Sequence, residues 1–96
     1  MTDNEKAATF LGWRRGLAPA AAPDMTRPEN YMRALDNLQC QWVLSTCETD
    51  PFSPHLKCAD IYGCSPKVYW QDADTGVAVQ TALARYYDRI TKRAPK

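Results

Sequence analysis

Between Lys67 and Ile90 the pattern of apolar and polar positions changes its period. The residues KVYWQ alternate, which sets Val68 and Trp70 on one side of an extended segment at 67–71. From Thr75 onward the apolar positions recur at helical spacing. Val79, Ala82, Leu83, Tyr86 and Ile90 make a core stripe flanked by Tyr87, while Gln80, Arg85, Asp88, Arg89 and Lys92 face water. The pattern predicts a strand feeding a helix over 75–92, joined by the polar junction Asp72-Ala73-Asp74-Thr75. Asp74 or Thr75 can cap that helix, and Arg89, Lys92 and Arg93 suit the negative end of its dipole. Gly76 suits a close approach of the helix to the sheet.

The upstream half carries its own start and stop signals. Thr2 and Glu5 have the spacing of a capping box, in which each side chain satisfies the other's free backbone N–H, so a first helix is expected over 3–11. Ala7, Phe10 and Leu11 form its apolar side, Gly12 is placed to end it in a left-handed conformation, and Trp13 packs beyond the stop. Residues 14–25 read as an irregular Ala/Pro connector, anchored where Leu17 meets the core. A second box, Thr26 to Glu29 with Pro28 in the first turn, opens a helix over 27–38 whose stripe is Tyr31, Leu35 and Leu38, with Met32 and Ala34 beside them.

Three strand-like segments follow. In 41–48, Trp42, Leu44 and Thr46 alternate with Val43, Ser45 and Cys47. In 55–62, Leu56, Cys58, Asp60 and Tyr62 alternate with His55, Lys57, Ala59 and Ile61, and the third segment is 67–71. Pro51 and Pro54 forbid regular pairing between the first two, and linkers this short exclude a parallel crossover. The expected architecture is therefore α+β: two N-terminal helices, a small three-stranded antiparallel sheet, and a C-terminal helix packed on the sheet, within one domain over 1–96 whose tail, 93–96, frays.

Composition narrows the function classes. Twelve basic and eleven acidic residues give a formal charge of +1, which removes the global electrostatic case for a nucleic-acid or membrane partner. No run approaches the roughly eighteen apolar residues of a membrane span, and the polar, acidic start differs from a signal peptide, so a cytoplasmic location is expected. In that compartment Cys40, Cys47, Cys58 and Cys64 read as structural thiols, although Cys47 and Cys58 could be neighbours across the first hairpin and oxidise.

No chemistry rises above the plain reading. Gaps of six, ten and five residues between successive cysteines contain no C-x-x-C knuckle, so neither a zinc site nor another cofactor is expected. His55 and Cys58 would lie on opposite faces of a strand, which leaves no Cys–His pair, and capping accounts for Asp72 and Asp74. A lone Gly76 makes no phosphate loop. The chain is thus expected not to be an enzyme, and what remains is surface recognition. Phe52 and His55 on the Pro-rich loop, with Arg85, Tyr87, Arg89 and Lys92 on the last helix, are the candidate partner-binding residues.

Phe10-Leu11-Gly12-Trp13, the Pro-rich connector, MTRPENYMRALDNL, the strand near Trp42 and the closing ADTGVAVQTALARYYD together resemble the small phage proteins grouped as the phage ABA sandwich domain, over most of residues 5–90. The Ala/Pro stretch at 18–23 and the four cysteines depart from that pattern. The resemblance implies helix and sheet layers and a phage or prophage accessory protein without catalytic residues. By analogy of class, such a protein binds and modulates or inhibits a host or anti-phage defence protein. The alternative is a small nucleic-acid binder using the basic C-terminal helix, with Arg14 and Arg15 beside it if the first and last helices lie together. A homodimer through a sheet edge or the Tyr87 flank is also open.

Overall fold

The computed structural model describes residues 2–16, 21–38, 40–47, 56–62 and 67–92. The order of elements is α1 (Asp3–Ala8) running into a short 3-10 turn (Thr9–Leu11), α2 (Pro28–Asn37), β1 (Gln41–Cys47), β2 (Leu56–Tyr62), β3 (Val68–Asp72) and α3 (Thr75–Lys92). The expected α+β architecture is present, each element within about two residues of its expected bounds.

The first helix starts and stops as its sequence dictates. Thr2 Oγ1 accepts from the Glu5 N–H at 3.1 Å, and Glu5 Oε1 accepts from the Thr2 N–H at 2.9 Å. At the other end Gly12 takes φ 91°, its N–H donates to the Thr9 carbonyl at 3.0 Å, and the Trp13 N–H reaches back to the Ala8 carbonyl at 3.3 Å. This is a Schellman closure, open to glycine because a left-handed residue with a Cβ would be strained.

The second predicted box does not form. Arg27 is the N-cap of α2, without a side-chain cap, and the Thr26 hydroxyl donates to Asp24 Oδ1 at 2.6 Å instead. Asp24 sits two residues back, so an Asx-type turn captures the threonine before the helix can. The first turn of α2 relies on Pro28, whose missing N–H costs nothing there.

The strands form one sheet in the order β1-β2-β3, antiparallel throughout, with Leu44 opposite Ala59 and Ala59 opposite Trp70. One face carries Ala59, Ile61 and Val68 into the core, with Trp42, Leu44 and Trp70 packed around them. All three helices contribute to that cluster: Ala7 and Ala8 from α1, Tyr31, Ala34 and Leu35 from α2, and Ala78, Val79, Ala82, Leu83 and Tyr86 from α3. Alanines on α1 and α3 let those two helices approach closely. A Lys6–Asp88 ion pair at 2.7 Å ties the same two helices at their partly exposed flank.

Four residues depart from their expected places. Ile90, assigned to the core stripe, is 38% exposed, because the core ends at Tyr86. Met32 also faces outward. Gln80, assigned to water, instead donates to Asn4 Oδ1 at 2.9 Å. The close approach at Gly76 is made not to the sheet but to the connector: a Cβ there would overlap the Thr26 carbonyl and lie 2.9 Å from Thr26 Cα. Leu17 lies outside the described residues, and the connector's buried anchor is Met25, fully enclosed and held by its N–H to Asn4 Oδ1 at 2.8 Å.

The reading of free thiols is also overturned. Cys40 and Cys58 are disulfide-bonded. Gln41 lies opposite Tyr62 and Ser45 opposite Cys58, which sets Cys40 and Cys58 about five strand positions apart, roughly 16 Å. That is beyond disulfide reach, so the two are not bonded to each other.

Candidate functional site

Strand alternation places a second set of residues on the face turned away from the helices. Gln41, Val43 and Ser45 of β1, Leu56, Cys58, Asp60 and Tyr62 of β2, and Tyr69 and Gln71 of β3 share it by register. Val43 is 43% and Tyr69 49% exposed. No residue of this face belongs to the helix-packed core. Cys58, only 3% exposed, is covered from the outer side: Tyr69 Oη donates to its sulfur at 3.1 Å, and Gln71 Nε2 donates to Tyr69 Oη at 2.7 Å. Beside them the Oδ1 atom of Asp60 is shielded from solvent without a hydrogen-bond partner among the described residues.

The proposed binding residues do not form one surface. Phe52 and His55 lie outside the described residues, and so does the side chain of Lys92. Arg85 and Arg89 share one flank of α3, next to β3. The Arg85 guanidinium sits 4.7 Å from the centre of the Trp70 ring, and Arg89 Nη1 donates to the Lys67 carbonyl at 2.7 Å. Both arginines therefore hold helix to sheet. Tyr87 projects from the opposite flank, edge-on to Phe10 with ring centres 6.4 Å apart.

On the Tyr87 side α1 does lie along α3. Thr9, Trp13, Arg14, Arg15 and Tyr87 line an open hollow of about 340 Å³. Among the described residues neither Arg14 nor Arg15 closes an ion pair. The acids nearest in effect are accounted for. Glu5 has its pKa lowered chiefly by the Thr2 N–H and more weakly by the field of Arg15, and Asp88 is engaged by Lys6, whose pKa it raises.

Among the described residues no group of His, Cys, Asp or Glu is placed to hold a metal ion, and no helix is long and apolar enough to cross a membrane. Comparison with family models, with curated proteins and with solved structures yields no match.

Sequence reasoning overlooked the outer sheet face. Its signal was the mixed alternation of the second strand, where Asp60 and Tyr62 interrupt an otherwise apolar side. Such a pattern marks a face left in contact with water. The hollow is legible in part: Trp13 packs into the core as expected, and Arg14 and Arg15 lie beside the last helix because the first and last helices pair.

Proposed function

We propose that this chain is a non-enzymatic, phage-encoded accessory module that binds and modulates or inhibits a host or anti-phage defence protein, and that it binds through the outer face of the sheet. The supporting observation is the exposed pair Val43 and Tyr69 on a face that no helix of the core cluster covers. Tyrosine-rich, weakly charged surface of this kind suits a protein partner, because a Tyr ring contributes apolar area and a polar tip together. The phage assignment rests on the sequence resemblance alone.

Arg85 and Arg89 support this reading more than nucleic-acid binding by the last helix, since both are already committed to Trp70 and Lys67. The disulfide-bonded state of Cys40 and Cys58 favours an oxidising compartment over the cytoplasm expected from the sequence.

The test pairs capture with surface variants. The parent chain, immobilised, should retain one stoichiometric protein from a lysate of the host. Val43→Asp and Tyr69→Ala, each with unchanged circular dichroism, should lose it, whereas Arg33→Ala on the exposed side of α2 should keep it. Capture that survives both sheet variants removes the outer face from the proposal, and absence of any stoichiometric partner removes the binding role.

A further inference from the structure

The hollow between the end of the first helix and the last one brings two arginines and a threonine beside aromatic side chains that also pack, Trp13 in the core and Tyr87 against Phe10. The Schellman closure at Gly12 fixes where the chain turns, and so brings Trp13, Arg14 and Arg15 to the flank of α3 that carries Tyr87. Trp13 is 6% exposed and makes a floor; Tyr87 is half-buried and makes a wall; the two arginines are exposed at the rim. Thr9 Oγ1 donates its proton to the Lys6 carbonyl at 2.6 Å, so toward the hollow the hydroxyl oxygen offers lone pairs and acts as an acceptor.

Two guanidinium groups, two aromatic surfaces and one acceptor define a ligand by complement. It carries an anionic group with several acceptor oxygens, which matches the forked donors of arginine. It also carries a flat ring to lie against the aromatic side chains, and a donor for Thr9. A volume of about 340 Å³ holds one such unit.

We propose that this hollow is a binding site for a single phosphate-bearing aromatic unit of the nucleotide type, with the phosphate held by Arg14 and Arg15, the base against Tyr87 and Trp13, and an exocyclic amine donating to Thr9 Oγ1. A free mononucleotide and the terminal nucleotide of a single strand present the same chemistry. The site is independent of the outer sheet face, which lies on the other side of the sheet from the helices, so failure of either leaves the other standing.

Titration of the full chain with adenosine monophosphate, adenosine, inorganic phosphate and a short oligodeoxyadenylate, followed by tryptophan fluorescence and calorimetry, tests it. Adenosine monophosphate should bind saturably and about tenfold or more tighter than adenosine or phosphate alone, because only it engages both halves of the site. Arg14→Ala and Arg15→Ala, both at exposed positions, should bring its affinity down to that of adenosine, and Tyr87→Leu should bring it down to that of phosphate. An oligonucleotide that binds more tightly than the mononucleotide, with stronger salt dependence, assigns the site to a strand end; equal affinity assigns it to the free nucleotide. No saturable binding of either at millimolar concentration, or binding unchanged in both arginine variants, overturns the proposal.

Discussion

Gln80 Nε2 donates to Asn4 Oδ1 at 2.9 Å, joining the last helix to the first across 76 positions of sequence. The same oxygen accepts from the Met25 N–H at 2.8 Å, and Asn4 Nδ2 donates to the Pro23 carbonyl at 2.8 Å. One amide thus ties α1, the connector and α3 together around the fully buried Met25. Asn4→Ala strands two backbone groups at once and should cost about 2 kcal/mol, whereas Gln80→Ala, which loses one bond, should cost about 1 kcal/mol. Urea denaturation of the two single variants and the double variant should show a double cost below the sum, since both remove one shared bond.

Gly76→Ala offers the opposite of the usual helix rule. Alanine in place of glycine inside a helix normally gains up to about 1 kcal/mol. Here the added carbon would run into the backbone of Thr26, which cannot swing aside as a side chain could. The variant should be destabilised by about 3 kcal/mol, lowering the melting temperature by roughly 12 °C or more. A melting temperature equal to or above the parent's would show that the connector does not pack on α3 in this way.

These two sites mark the boundary of what the sequence discloses. The capping box at Thr2, the stop at Gly12, the Asp74 cap whose carboxylate accepts from the Gly76 N–H at 2.7 Å, and the meander were all legible, because each depends on residues close together in the chain. The Asn4 hub, the seat of Met25 and the contact made by Gly76 were not. Each joins segments distant in sequence, and a polar residue on a helix looks solvated until its partner is known. Thr26 shows competition at short range: two acceptable roles for one hydroxyl, decided by an aspartate that the box pattern ignores. The candidate site was less legible still, because exposure of one sheet face depends on where every helix docks.

Chemical labelling reads the cysteine state directly. In protein purified without reductant, iodoacetamide should leave Cys40 and Cys58 unmodified, and peptide mapping should place them in two separate cross-linked species. Full reduction should lower stability by roughly 2–4 kcal/mol per bond. Labelling of either residue before reduction would count against the cross-linked sheet.

The N-terminal capping box predicts an acid-side pH dependence. The Thr2 N–H holds the Glu5 carboxyl below its ordinary value of 4.5. The folded state therefore favours the ionised form, and the contribution is complete above pH 4.5 and lost as pH falls through the depressed folded value. Glu5→Gln should be less stable than the parent at pH 7, and the difference should shrink steadily once the pH drops below 4.5. A difference independent of pH would mean that the bond to Thr2 does not depend on charge.

The pairing of the first helix with the last also sets a timetable for the chain during synthesis. Ala7, Ala8 and Trp13 share their cluster with Ala78, Val79, Ala82, Leu83 and Tyr86, so the N-terminal segment cannot complete its burial until α3 has been made. The local β1-β2-β3 meander can form first, with one side already at home in water and the other awaiting helices. Closure of the domain then becomes a late event, in which the first and last helices find each other over a sheet that is already standing.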